Sequence, residues 1–422
     1  MSELERARRD RLRRVLRAIL AGNRFYRAKL AARPGLAELD PESFELADLG
    51  RLPLTTKEEL VADQREHPPF GSNLSLPLER FVRMHQTSGT QGHPLRWLDT
   101  AESWDELIAS WSLVYDAVGV TPEDRVFVAF SFGPFIGFWG AFEAAQRRGS
   151  LTLTGGALST AQRLEQILEL EATVVVSTPT YALHLLEAAR RAGENLRASA
   201  VRATVHAGEP GASVRAVRAR LEEGWGARCF DHAGATELGA WGYPGPDGVL
   251  HLDEERFLAE LVDPVSGTPI APGPEGARGE LVLTSLGRVG SPLLRYRTGD
   301  LVELVPRAAG KPTALRGGVL GRIDDMFVVR GVNVYPSAIE NVVREIPEIT
   351  EFRATVRPAD GLTELELEVE IAPDCAHDPA AALASLLHRR LALRVPVSTV
   401  EPGTLPRWEL KARRFRFLEA PR

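Results

Sequence analysis

The 422-residue sequence has only two cysteines, Cys229 and Cys375. That excludes a disulfide framework and a cysteine-rich zinc site, and it fits a reducing cytoplasm. The nine histidines are scattered, and no pair has obvious metal-ligand spacing. No stretch approaches the roughly 18 apolar residues that a membrane span needs. The net charge is −6, so neither nucleic acid nor an anionic membrane has an electrostatic reason to bind. A Walker phosphate loop, whose glycines close on Gly-Lys-Ser or Gly-Lys-Thr, is absent. Internal repeats and low-complexity segments are absent too.

What remains is an ordinary soluble balance, 44% hydrophobic and 26% charged, at a length that suits one large domain plus a smaller one. The first 20 residues are basic, but they carry glutamates and run at helical period. They read as a surface helix rather than a targeting sequence. Helix is expected over 1–31, ending near Arg33-Pro34-Gly35. Residues 50–60 read as a turn and then a helix start, with a threonine cap and Glu58 and Glu59 in the first turn. Residues 81–98 read as strand, glycine-rich turn, strand. Up to about residue 240, helical runs alternate with short apolar runs at 126–130, 174–177 and 201–206, which argues for parallel α/β layers. Beyond 245, dense turn signals and short strands such as 279–284 suggest a β-rich subdomain. The organisation changes again near Gly317-Gly318. Residues 322–422 then read as strand, turn, helix at 336–346, strands near 351–357 and 364–371, and a helix at 379–392. The fold class is α/β. A large N-terminal domain, 1–321, holds layered sheets and helices with the β-rich subdomain, and a small α+β domain, 322–422, follows.

Five segments carry chemical potential. Thr87-Ser88-Gly89-Thr90-Gln91-Gly92-His93-Pro94 offers small hydroxyls and glycines whose N–H groups can converge on an anion. Asp231-His232-Ala233-Gly234-Ala235-Thr236-Glu237 offers a hard oxygen ligand for Mg²⁺ in Glu237 and a phosphate hydroxyl in Thr236. In Arg295-Tyr296-Arg297-Thr298-Gly299-Asp300 the final carboxylate can accept both hydroxyls of a ribose. Gly321-Arg322-Ile323-Asp324-Asp325-Met326, followed by 328–336, pairs an arginine with acids at the expected boundary, as a hinge would. Leu405-Pro406-Arg407-Trp408-Glu409-Leu410-Lys411-Ala412-Arg413-Arg414-Phe415 carries a lysine able to meet phosphate charge. Each segment alone also reads as an ordinary turn, linker, surface ion pair or solvated tail.

Their order and spacing together are specific. The sequence resembles the adenylate-forming superfamily of acyl-CoA synthetases, peptide-synthetase adenylation domains and luciferases, and within it the phenylacetate–CoA ligases. The likeness runs over nearly the whole chain and includes Asn23-Arg24-Phe25-Tyr26-Arg27 and Leu52-Pro53-Leu54-Thr55-Thr56-Lys57. It implies an ATP-dependent acid–thiol ligase with ATP, Mg²⁺ and coenzyme A. Thr87, Ser88, Gly89, Thr90 and Gly92 would hold the β- and γ-phosphates. Gly208, Glu209, Pro210, Asp231, His232 and Ala233 would lie by the nucleotide, with Ala207, Gly234, Phe132, Phe135 and Phe138 toward the acid. Thr236 would touch the α-phosphate and Glu237 would hold the metal. Asp300 and Arg322 would bind the ribose, Asp324 would be the hinge of a mobile C-terminal domain, and Lys411 would bridge carboxylate and α-phosphate. After rotation, Arg330, Gly331 and Asn333 would line a pantetheine tunnel.

The chain departs from that pattern at His93, where a lysine is common, and at Ala233, where a tyrosine is expected. Either His232 would then substitute as the adenine platform, or apolar contacts would hold the adenine. Phe138 stands where a glycine is expected and would narrow the acid pocket, while Phe135, Phe138, Trp139 and Phe142 also fit one helix face as core. An aromatic acid, a compact or substituted benzoate, is the expected substrate. Alternative acceptors are an amine, a carrier-protein thiol, or a deazaflavin hydroxyl receiving the nucleotidyl group. The resemblance leaves room for a homodimer.

Overall fold

The structure, a computed structural model, describes residues 2–87, 93–130, 133–209, 211–245, 249–273, 275–305, 312–330, 332–359, 362–372, 375, 377–408 and 412–418. It opens on two helices, α1 (Glu3–Gly22) and α2 (Arg24–Ala31). The single helix expected over 1–31 is divided at Asn23, whose backbone turns extended and whose side chain accepts the Tyr26 N–H at 2.9 Å. Asn23 is fully buried, and its amide donates to Asn73 and Ser75. A buried amide must find such partners, and here they set the corner. Leu12, Leu16, Ile19 and Tyr26 then pack against Leu258, Leu286 and Leu294. Helix α3 (Lys57–Glu66) starts on a Thr56–Glu59 capping box, as its sequence predicts.

Strands β1 (Phe81–Gln86) and β2 (Arg96–Thr100) form an antiparallel hairpin around the glycine-rich segment. Next comes a parallel sheet of β3 (Arg125–Val128), β4 (Leu151–Thr154), β5 (Val174–Ser177), β6 (Ala203–His206) and β7 (Arg228–Asp231), in the order 4-3-5-6-7. Its side chains alternate between two layers, as the pleat requires. Val126, Val128, Val174 and Val176 meet α4 (Ala101–Val118) and α5 (Ile136–Arg147) through Trp104, Trp111 and Ala141. Phe127, Ala129 and Val175 meet α6 (Thr160–Glu169), α7 (Pro179–Ala192) and α8 (Arg215–Trp225) through Ile167, Leu185 and Leu221. Burial on both faces explains why these strands read as continuous apolar runs.

The β-rich part is an antiparallel sheet of β8 (Ala233–Ala235), β9 (Gly239–Pro244), β10 (Leu250–Leu252), β11 (Phe257–Val262), β12 (Ala277–Ser285), β13 (Tyr296–Val305) and β14 (Ala314–Arg322), ordered 11-12-13-14-10-9-8. The change of organisation expected at Gly317-Gly318 does not occur there. Both glycines lie inside β14, where positive φ and shifts in register with β13 bulge the strand without ending it.

The remaining chain forms the hairpin β15 (Phe327–Val329) and β16 (Val332–Val334), helix α9 (Pro336–Arg344), β17 (Ile349–Ala359), β18 (Leu362–Ile371), helix α10 (Ala380–Leu391), β19 (Val397–Val400) and β20 (Phe415–Phe417). Four of its strands make a sheet ordered 19-18-17-20. Among the described residues, its apolar cluster takes no member from before Phe327. None of the described helices is long and apolar enough to cross a membrane.

One buried pair ties the β1–β2 hairpin to the segment between β12 and β13. Arg288 donates to both oxygens of Asp99 at 2.8 and 2.5 Å and also to the Thr236 carbonyl at 2.8 Å. The two side chains are only 3% and 0% exposed. Arg288→Ala strands a buried carboxylate, so it is expected to lower stability by about 3–5 kcal/mol. Urea unfolding of the variant checks this; a loss under about 1 kcal/mol, the range of an exposed pair, would contradict it.

Candidate active site

The carboxyl ends of the parallel strands converge on one edge of the molecule, the usual ligand edge of an open α/β sheet. Strand β5 ends at Ser177 and feeds α7, which is capped by Thr178 with Pro179 in its first turn. Strand β6 ends at His206, and Ala207-Gly208-Glu209 follow. His206 is fully buried between Thr204 Oγ1 at 2.9 Å and Ser177 Oγ at 3.3 Å. Burial pulls its pKa down to about 4, so the ring is neutral.

Strand β7 ends at Asp231, and His232 and Ala233 lead into β8. All three are buried. Asp231 accepts a hydrogen bond from the Ser213 hydroxyl, yet burial pushes its pKa up to about 6. The His232 ring lies 4.3 Å from Trp111, and its Nδ1–H donates to the Gly242 carbonyl at 2.7 Å. At 5% exposure it offers no open face for a base. Ala233 belongs to the apolar cluster of the antiparallel sheet. Gly234 allows close strand approach: a Cβ there would meet the Gly239 carbonyl at 2.9 Å.

Thr236 and Glu237 form the turn between β8 and β9. Glu237 is almost wholly buried, and its Oε1 accepts the Tyr296 hydroxyl at 2.7 Å. Lys57 Nζ stands 4.0 Å from the same oxygen. Burial and the Glu237 charge both keep the Tyr296 phenol protonated. Lys57 reaches this site because its segment is stitched to β13: Thr55 N–H donates to Arg295 O, and Arg297 N–H donates to Thr55 O, both at 2.9 Å. Tyr26 reinforces the stitch, its hydroxyl lying 3.0 Å from Thr55 Oγ1 and accepting the Leu294 N–H at 2.8 Å. Neither Lys57 nor Tyr296 was assigned a role from sequence, although both sit in segments that carry the resemblance.

Asp300, Arg322 and Asp324 come together. Arg322 donates to Asp300 Oδ1 at 3.1 Å and forks onto both oxygens of Asp324 at 2.9 and 2.8 Å. Burial works against the Arg322 charge, but the two carboxylates outweigh it and hold the group protonated. Glu209 lies elsewhere in the cleft. Its Oε1 accepts the Thr180 N–H at the start of α7, and its Oε2 accepts the Ala412 N–H, at 2.9 and 3.1 Å.

Thr87 closes the neck of the β1–β2 hairpin, exchanging bonds with Leu95 at 2.9 and 3.0 Å. Ser88, Gly89, Thr90, Gly92, Pro210, Phe132, Gly331 and Lys411 lie outside the described residues, as does the side chain of Asn333. Arg330 is paired with Glu364 at 2.7 Å. Phe135 caps α5, and Phe138 on that helix stacks on Phe130. Phe138, Trp139 and Phe142 are half-buried and pack on the sheet's core, so the helix-face reading holds for them.

Residues 331–416 match the family described as AMP-binding enzyme C-terminal domain. The chain is 31% identical over 430 residues to phenylacetate-coenzyme A ligase of Escherichia coli (strain K12), covering 98% of this chain and 94% of that protein. A solved 2-hydroxyisobutyryl-CoA ligase, in the postadenylation state with R3-HIB-AMP, superposes with a TM-score of 0.89 at 28% identity, over 98% of this chain and 89% of the other. The same ligase with 2-HIB-AMP and CoA, in the thioesterification state, superposes over the same shares at 0.71. At equal identity and coverage, the chain superposes more fully on the postadenylation structure than on the thioesterification one.

The Asp231 shift gives a signed prediction. Its folded pKa of about 6 lies above the ordinary 3.8. The associated stability is therefore full below about pH 4 and is lost as the pH rises through about 6. Asp231→Asn should match the wild type near pH 4 and exceed it at pH 8 by up to about 3 kcal/mol. Urea unfolding at the two pH values checks this, and equal stability at pH 8 would refute it.

Proposed function

The chain belongs to the phenylacetate–coenzyme A ligase family of AMP-forming acyl-CoA ligases, and from that premise we propose that it activates a compact aromatic acid. As a member it joins a carboxylic acid to coenzyme A at the expense of ATP, through an acyl-adenylate. In the first half-reaction the carboxylate attacks the α-phosphorus and pyrophosphate leaves. In the second, the CoA thiol attacks the acyl carbon and AMP leaves. The free thiols of Cys229 and Cys375 suit a cytoplasmic setting.

The observation that carries the assignment of roles is the gathering of Glu237, Tyr296, Lys57 and Thr236 beside the ends of the parallel strands. Thr236 bonds the α-phosphate. Tyr296 and Lys57 orient and balance the Glu237 carboxylate through its Oε1, and Glu237 would supply an oxygen to a hard cation. Glu237 fits Mg²⁺, which takes one or two carboxylates plus nucleotide phosphates rather than a protein cage. Such an ion, when bound, would neutralise phosphate charge. Among the described residues no group of three or more ligating side chains competes for that role. Asp300 accepts the ribose hydroxyls, with Arg322 held against it. Thr87 to Gly92 wrap the β- and γ-phosphates, and Lys411 stabilises charge at the α-phosphate and carboxylate. Residues 322–422 then turn about Asp324, bringing Arg330, Gly331 and Asn333 to the pantetheine arm. The two states of the 2-hydroxyisobutyryl-CoA ligase support this motion.

For the acid, the aromatic side chains of α5 and the family's phenylacetate ligases support an aryl substrate. Phe138 stacked on Phe130 favours a second reading, a short branched acid like the one carried by the structural relative, because Phe138 itself takes up ring-sized space. A pyrophosphate-release screen over aryl and short branched alkyl acids, with and without CoA, separates the two. Aryl acids are expected to give the fastest release and a CoA thioester by mass. Release with branched alkyl acids alone selects the second reading, and no acid-dependent release with any acid overturns the adenylation chemistry.

Lys411→Ala should slow ATP–pyrophosphate exchange by about 10²–10³, the usual cost of one such group. Thioester formation from supplied acyl-adenylate should fall far less. Exchange within about twofold of wild type would remove Lys411 from its assigned role.

A further inference from the structure

The C-terminal part of the chain meets α7, α8 and the loop after β6 in several contacts, among them Arg220 on α8, which donates to the Ile349 carbonyl at 3.3 Å. Arg407 donates to Glu187 on α7 at 3.0 Å. Arg414 reaches Thr180 Oγ1 at 3.3 and 3.4 Å. The Ala412 N–H donates to Glu209. Arg407, Arg414 and Glu209 each also have a partner on their own side. Arg407 is bound to Glu370 at 2.7 Å, and that carboxylate also accepts the Leu405 N–H. Arg414 is bound to Glu351 at 2.6 Å and to Glu340 at 2.8 Å. Glu209 accepts the Thr180 N–H at 2.9 Å.

We propose that these contacts form a reversible latch that holds the C-terminal domain in its adenylation arrangement, with the Glu187–Arg407 pair setting how readily it opens. The proposal rests on the two-state reading given above. Its physical basis is the double partnering. Breaking a buried ion pair is costly because it strands a charge. Here undocking strands none of these three. Arg407 retains Glu370, Arg414 retains Glu351 and Glu340, and Glu209 retains the helix N-terminus. Glu187, already 23% exposed, returns to water. The contact that opens is therefore a partly exposed one of modest strength, suited to a joint that must close and open in every turnover. Glu209 belongs to this latch through the peptide next to Lys411, so it is a positioning residue rather than a nucleotide ligand. Glu187 touches no residue assigned to the nucleotide or the acid, and it can be changed without disturbing them.

The test is Glu187→Arg, with Glu187→Gln as the milder step. Small-angle scattering on the full-length protein without ligands reads the arrangement directly. ATP–pyrophosphate exchange with phenylacetate, and CoA thioester formation from supplied phenylacetyl-adenylate, read the two half-reactions. Both variants should keep the wild-type melting profile. The Arg variant should shift the scattering profile away from wild type, and Gln should shift it less. The Arg variant should also slow exchange by roughly five- to tenfold against an unchanged or faster thioester step, as a population shift of that size implies. A scattering profile identical to wild type, or half-reactions lowered in equal proportion, overturns the latch. If wild-type protein fails to exchange pyrophosphate with phenylacetate, phenylacetate is not its acid and the aryl screen decides the proposed function, while the scattering comparison still decides the latch.

Discussion

One guanidinium, that of Arg322, stands between the two parts of the chain. It closes β14, pairs in register with Asp300 on β13, and forks onto Asp324 two residues further on. The fork needs room. Gly299 has a positive φ, and a Cβ there would lie 2.8 Å from Arg322 Nη2. The Ile323 N–H is bound to the Gly299 carbonyl at 2.7 Å, which anchors the chain as it leaves the sheet. The carboxylate assigned to the ribose and the one assigned to the hinge thus share one cation. Neither can move without changing the field at the other.

The rest of the site is built from segments distant in sequence. In the N-terminal region Tyr26 and Thr55 bind the segment that leads into the strand carrying Asp300. Arg295 has a positive φ and donates to the carbonyls of Gly50 and Leu52 and to both oxygens of Glu260. Thr55 and Tyr26 complete the join, and Lys57 is delivered to Glu237 as a result. Arg288 does the same from the other side by fixing the Thr236 carbonyl against Asp99. A turn carrying two functional side chains is held at its backbone by one ion pair and at its carboxylate by one phenol. Such outer partners are what keep a polar site within tight geometric limits.

Much of this was legible in the chain's residues. The alternation of apolar strands with helices predicted the parallel sheet because burial on both faces leaves an unmistakable Val-rich run. The Thr56 cap and the tail's helices were readable for the same local reasons. Asn23 was not, since its role depends on Asn73 and Ser75, some fifty residues away. Gly317 and Gly318 misled because a bulge and a chain break use the same residues. In the site, Asp300, Arg322 and Asp324 lie close in sequence and could be grouped from it. The bond between Glu209 and Ala412 could not be read from the chain, because the two lie 203 residues apart. His232 was readable as an aromatic beside the expected platform position, but its tilted contact with Trp111 was not.

The charged pairs divide into two kinds, and the division follows function. Arg288 and Asp99 are wholly buried within the large domain and hold parts that must not move. Arg322, Arg407 and Arg414 sit at or beyond the join, and each meets two carboxylates. A lysine could not serve there equally well, because its compact charge lacks the planar fork that engages two directions at once. Multiple partnering lowers the penalty for giving up one contact, since the charge is never left alone in a low-dielectric place. Inside the large domain Arg288 meets one carboxylate, Asp99, whereas Arg322, Arg407 and Arg414 each meet two, so each of these three can give up one contact and still keep a counter-charge.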